Sequence, residues 1–221
     1  QQLPVGNYDI LVAANMDEAS GYVLTTGSGT RSAARLTTTS VALADYNLPP
    51  SQSWFAVTNV TISEGDITVA QIRLRRLLSS LAITISEVPE GYSLTASVEH
   101  TAQGVILSET DSSGRYGVAS ADEQAVECGL LATDGTNHSL TRRFMPTASS
   151  QERTIISIEI ATPEGTSFKR IINAPAMLIG QDHSLNIRYS ELQSVIYINS
   201  TNVNDWNIGT ILDGGSAEGT K

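Results

Sequence analysis

Apolar and polar residues alternate with a period of two along much of this chain. Tyr8, Ile10, Val12 and Ala14 fall on one face of "YDILVAA". Leu81, Ile83 and Ile85 do so in "LAITIS", and Leu94, Ala96 and Val98 in "SLTASVE". Further on, Ile156, Ile158 and Ile160 alternate in "IISIEI", and Leu185, Ile187 and Tyr189 in "SLNIRY". In the later runs Thr, Ser, Asn, Glu and Arg fill most of the positions between. Successive side chains of an extended backbone point to opposite faces, so these runs predict half-buried antiparallel strands. Turn clusters punctuate them, among them "TTGSGT", "NLPPS", "DSSG" and "TDGT". Many short strands separated by such turns are the pattern of a sandwich or a barrel. A Pro-X-Gly unit stands directly before three of the runs, in "LPVGNYDILV", "VPEGYSLTAS" and "TPEGTSFKRI". There proline sets φ for the turn and glycine supplies the positive φ.

Two stretches fit the alternation less simply. "SADEQAVECGLLA" predicts either a short helix capped by Ser120, with Glu123 at the capping-box position, or an irregular strand. "QIRLRRLLSSLAITIS", residues 71–86, puts three arginines within four positions. Leu74, Leu77, Leu78 and Leu81 fit a helical stripe, yet Ile72 and Leu74 also oppose Arg73 and Arg75 on a strand template. The β-branched flanks "DITVAQI" and "LAITIS" favour a strand–link–strand crossing between two sandwiches. Arg73, Leu74, Arg75 and Arg76 then form a candidate interdomain element.

Charge narrows the possible partners. The 221 residues carry a net charge of -10. Phosphate neutralisation needs a surplus of Lys and Arg, so the acidic balance argues against nucleic acid. It argues equally against a polybasic grip on anionic lipid. The arginine cluster has no interleaved aromatics on which bases would stack. No apolar run approaches the roughly 18 residues of a membrane-spanning helix. The chain begins "QQLPVGNYDI", with no initiator Met and a strand almost at once, which predicts a processed or trimmed form.

Candidate chemistry is sparse. Cys128 is the one cysteine, so no internal disulfide can form, and its apolar setting "AVECGLLA" predicts a buried structural thiol. His100, His138 and His183 are far apart and never in metal-ligand spacing. His100 continues the apolar face of "LTASVEH", His138 sits in the turn "DGTNHS" and His183 in "GQDHS". No nucleophile elbow, P-loop, H-E-x-x-H or EF-hand loop occurs. The paired carboxylates Asp17–Glu18 and Asp122–Glu123 lie in polar stretches and read as solvated charge. No cofactor, no metal and no catalytic residue is therefore expected. Trp54 is a candidate glycan contact, whereas Trp206, in "NVNDWNIG", reads as a core anchor.

The order of these features resembles the fimbrillin-like surface proteins of Bacteroidales, which supply type V pilus subunits, tips and anchors. A Pro-X-Gly-X-Tyr turn leads into "YDILVAAN". "IRLRRLLSSLAITIS" follows as a leucine/arginine element running into a strand, and "SLNIRYSELQSVIYINSTNVNDWNIGTILDGG" closes with Asn-X-Trp-X-X-Gly. The resemblance implies an all-β fold of two tandem transthyretin-like (Greek-key) β-sandwich domains, predominantly antiparallel, over residues 1–78 and 79–221. It implies a non-catalytic fimbrial component at the cell surface or outer membrane, acting in assembly and adhesion. Its partners would be other fimbrial subunits or copies of itself, together with host or bacterial surface ligands. Membrane attachment would come only through an upstream lipid anchor. Members polymerise by donor-strand exchange, and here the candidate exchange segment is "QSVIYINSTNV", carried by Val195, Ile196, Tyr197 and Ile198. The alternative is a glycan-binding outer-membrane lipoprotein module.

Overall fold

The computed structural model describes residues 3–26, 39–65 and 69–194. The chain is all-β, in sheets that pack as two sandwiches. In the first, β1 (Gly6–Ala14) pairs antiparallel with β4 (Trp54–Ile62), which also holds the two-residue β5 (Arg75–Arg76). Facing them is a sheet that includes β2 (Tyr22–Thr25) and β3 (Ser40–Leu43). Between β1 and β2, Asp17 caps a 3-10 turn, Glu18–Ser20, by accepting from the Ser20 amide at 2.8 Å. That contact holds the Asp17 carboxyl below its ordinary value.

The second sandwich starts at β6 (Ser79–Ser86), whose strict buried/half-buried alternation repeats the pattern of "LAITIS". β7 (Ser93–Ala102) runs on into β8 (Gly104–Thr110), which returns through β9 (Tyr116–Ala119) into β10 (Glu123–Leu130). The remaining strands are β11 (Ala132–Asp134), β12 (Asn137–Phe144), β13 (Arg153–Ala161), β14 (Ser167–Pro175) and β15 (Asp182–Arg188), followed by a short helix α1 (Tyr189–Ser194). One sheet has the order β10-β7-β13-β14, and the opposite one β11-β12-β6-β15. β15 lies parallel to β6, while the other described ladders are antiparallel.

β8 and β9 do not stay in the sheet of β7 and β10. They join β2 and β3, in the order β2-β3-β8-β9, and so complete the first sandwich. The crossing is made by irregularities in the ribbon. β7 holds an extra residue between Val98 and Thr101, where His100 takes φ of +65°. A bulge of this kind bends a strand and strengthens its twist. It also shifts the alternation, so Thr101 and Ala102 are buried while His100 is not. His100 therefore does not continue the apolar face, as the sequence pattern predicts. Gly104 then allows β3 to come close, since a Cβ there would stand 2.7 Å from the Val41 carbonyl oxygen.

"SADEQAVECGLLA" is the irregular strand, not the helix: it forms β10, with Cys128 as the extra residue opposite Ser97 and Ala96. Charge and β-pairing explain this. Only one face of the segment is apolar, and β7 offers it a ladder of backbone partners. Cys128 is buried and its thiol is pushed up to about 12 by desolvation. His138 also departs from expectation. Gly135 and Thr136 alone make the turn, so His138 is already within β12 and buried.

Two hydrophobic cores result. One contains Leu81, Ile83, Ile85, Leu94, Val98, Ile156, Ile158 and Ile160 among its members, and no buried residue before Leu81. The other combines Met16, Tyr22, Val41, Leu43, Phe55, Leu77 and Leu78 with Ala102, Val105, Leu107, Met145 and Ala148. Among the described residues, five of the twelve buried in the first sandwich's core thus come from beyond residue 79. A seam of polar contacts follows the same join. Buried Arg142 donates to the carbonyls of Glu127 (3.0 Å), Cys128 (3.4 Å) and Tyr46 (2.9 Å), and Arg143 donates to Pro50 (3.0 Å). The Tyr46 hydroxyl donates in turn to the Gln103 carbonyl, at the β7–β8 junction.

Candidate functional site

The three arginines of residues 73–76 meet three different environments. Arg73 is exposed, with Leu74 beside it. Arg76 makes a bidentate fork to Asp182 at the start of β15, with both N–O distances 2.8 Å, and donates to the Gly180 carbonyl at 2.6 Å. A planar guanidinium matches a carboxylate in this geometry. Each group reinforces the other's charge, raising the Arg76 pKa and lowering that of Asp182. The partner lies more than a hundred positions away in sequence, and nothing in "GQDHS" singles it out.

Arg75 turns to the other side of β5. Its guanidinium lies over the Phe55 ring, with Cζ 4.6 Å from the centroid. Opposite is Gly117 of β9 at φ of +93°, and a Cβ added there would stand 2.6 Å from Phe55 Cζ and 2.9 Å from Arg75 Nη2. Glycine is needed at this position both for its φ and for the room it leaves. Nη2 is buried and has no hydrogen-bond partner among the described residues. Burial lowers the Arg75 pKa, nearby Arg115 lowers it further, and Asp111 opposes both.

Arg75 stands at a groove of about 360 Å³ between the two cores. Val118 and Ala119 of β9, Pro146 and Ala148 after β12, and Met177 and Leu178 before β15 make its walls largely apolar. The loops are fixed. Thr147 Oγ1 shares a hydrogen bond with Thr154 Oγ1 (2.8 Å) and accepts from the Met177 amide (2.7 Å), while the Thr147 amide donates to the Met177 carbonyl (2.9 Å). Asp111 and Arg115 occupy the rim and pair at 3.1 Å. Asp111 Oδ1 also accepts from the Ser113 hydroxyl (2.6 Å) and from the amides of Ser113 and Arg115. These contacts hold its carboxyl well below the usual range, the Ser113 hydroxyl contributing most. The "DSSG" turn is therefore a closed turn.

Trp54 begins β4, pairs with Ala14 and Arg76, and is half-buried. It does not reach the groove. Val195, Ile196, Tyr197, Ile198 and Trp206 lie outside the described residues. Among the described residues, no three His, Cys, Asp or Glu side chains are grouped to hold a metal, and no helix is long and apolar enough to cross a membrane. The groove itself presents largely apolar walls, with Arg75, Arg115, Asp111 and Glu152 as its charged lining.

Fold and site together define an all-β double sandwich with a largely apolar groove between its cores. The chain belongs to the family of fimbrillin-A associated anchor proteins Mfa1 and Mfa2, whose family model matches residues 1–211. No curated protein matches its sequence. Among solved structures it is similar to a Bacteroides thetaiotaomicron protein provisionally assigned to polysaccharide binding, at 13% identity and a TM-score of 0.60, over 91% of this chain and 76% of that one. A second Bacteroides thetaiotaomicron chain, provisionally described as an adhesin, aligns at 8% identity and a TM-score of 0.55, over 94% of this chain and 79% of that one. The fimbrial anchor protein Mfa2 of Porphyromonas gingivalis aligns at 14% identity and a TM-score of 0.47, over 83% and 69%. Across these and a Bacteroides ovatus chain provisionally described as an adhesin, this chain spans 66% to 79% of the relative's length.

Proposed function

We propose that this protein is a non-catalytic component of a cell-surface fimbrium, acting in fimbrial assembly and adhesion at the outer membrane. The observation that carries this reading is the family match over residues 1–211. Its partners are other fimbrial subunits or further copies of the chain, and attachment to the membrane runs through an upstream lipid anchor.

Assembly by donor-strand exchange, with Val195, Ile196, Tyr197 and Ile198 in the donor, is part of the same proposal. It draws support from β1, a strand of nine residues that among the described residues lies outermost in its sheet, pairs with β4 on one side and has no fully buried residue. An unpaired sheet edge is a template for another chain's strand. Two domains, 1–78 and 79–221, are proposed at the level of the chain, joined by Arg73, Leu74, Arg75 and Arg76. Leu77 and Leu78, fully buried in the first core directly before β6, support a join there. A second reading, glycan binding, draws support from the half-exposed indole of Trp54.

The test is an immunoblot of unheated surface fractions from cells carrying the full-length precursor. Strand-exchanged polymers give a ladder that collapses to one band on boiling. A single band under both conditions rejects polymerisation by strand exchange. Absence of the protein from the fimbrial and outer-membrane fractions rejects the fimbrial role itself. A glycan array on the purified chain, compared with Trp54→Ala, decides the second reading.

A further inference from the structure

We propose that the groove between the two cores is a binding site for a small carboxylate with an apolar body, seated with its acid group at Arg75. Four features converge on this chemistry. The walls are largely apolar, with Ser149, Gln151, Glu152 and Gln181 also among the lining, and the volume of about 360 Å³ is within the usual range of small-molecule sites. Of the two cations and two carboxylates in the lining, Arg115 and Asp111 pair with each other, whereas Arg75 makes no ion pair with Glu152 or any other described residue. The Arg75 guanidinium is held in place by Phe55, so little freedom is lost when an anion docks on it. Its buried Nη2 lacks an acceptor, and a buried donor left unsatisfied costs about 1–3 kcal/mol. A carboxylate beside the guanidinium supplies the countercharge. The cradle at Gly117 preserves this arrangement, because any larger residue would press on both Phe55 and Arg75. A purely apolar ligand leaves the guanidinium unanswered.

The probe is decanoate, titrated into the whole chain while the Met177 methyl resonance is followed by NMR, with decanol and acetate as comparisons. Decanoate is expected to shift Met177 saturably and to bind at least ~10-fold tighter than decanol, since a hydrogen bond to a charged group is worth about 1.5–3 kcal/mol. Acetate, lacking the apolar body, is expected to leave Met177 unmoved. Arg75→Gln should reduce decanoate to the affinity of decanol, while Arg188→Gln, at an exposed pair with Glu87 outside the groove, leaves it within about twofold. Leu178 is half-exposed on the groove wall, so Leu178→Glu tests the site without touching a core. It should weaken decanoate far more than decanol. No saturable shift at Met177, equal binding to Arg75→Gln, or indifference to Leu178→Glu overturns the proposal.

Discussion

The two sandwiches are built on different terms. The second has a core that begins at Leu81 and is closed by its own strands. In β6 every second residue is buried, and Ile156, Ile158 and Ile160 of β13 face it with no exposed surface. The first cannot be completed from its own segment: it needs β8 and β9 for half of one sheet, and Ala102, Met145 and Ala148 for its core. Its β1 is at best half-buried throughout. Dependence therefore runs one way. Loss of the second sandwich removes β8 and β9 from the first, whereas loss of the first takes from the second core only a peripheral contact, Tyr46, and one acceptor of Arg142.

Two core truncations test that asymmetry most strongly. Phe55→Ala should cost about 3–5 kcal/mol, from the lost ring and the cavity it leaves. Amide exchange should then accelerate in β1, β3 and β4 but stay slow in β13. Ile158→Ala should cost about 2–5 kcal/mol and accelerate exchange in both sandwiches together. If Phe55→Ala loosens β13 as much as β4, the one-way dependence is wrong.

Removing the seam has a smaller effect. Arg142→Met takes the donor from three carbonyls, and about 1–3 kcal/mol is expected. The same exchange experiment should show residues 44–50 released first. Next comes acidification. Burial holds the His138 and His183 pKa values below the ordinary one, so the unfolded chain binds more protons than the folded chain as pH falls. Stability is therefore full above about pH 6.5, the unperturbed histidine value, and declines as pH drops through it. His138→Asn should flatten part of that decline in urea-unfolding midpoints taken from pH 7.5 to 5. Because both histidines flank β6, the loss should register in the second sandwich. The smallest effect belongs to Arg76→Met. The fork to Asp182 is largely exposed, so about 0.2–1 kcal/mol is expected, fading with added salt.

The strands of the second sandwich are legible because their partners impose a simple alternation. "LAITIS", "IISIEI" and "SLNIRY" each place one apolar face on one core, and the structure keeps those faces. Legibility fails where a strand serves two cores. His100 reads as a continuation of the apolar face, yet the bulge that sends the ribbon into the first sandwich turns it aside. "AVECGLLA" is ambiguous in sequence because the extra residue at Cys128 blurs a period of two. The arginine cluster is recognisable as a run of charge between apolar flanks. Its division of labour is not, because Asp182, Phe55 and Gly117 reach it from three distant places. Gly117, in "RYGVAS", carries no turn signature that would mark it as a cradle. The groove is a product of tertiary assembly, and local pattern holds no trace of it.

The ribbon that passes from β7 into β8 and back from β9 into β10 also decides how the molecule bears load. A tether of single-stranded chain would let the two sandwiches swing apart under tension. Here two antiparallel segments span the join, each with its backbone hydrogen-bonded into a sheet at both ends. A pull on one sandwich enters the other along those strands and is distributed over the ladders that hold them. The join is a splice, and force passes through it without first uncoiling a linker.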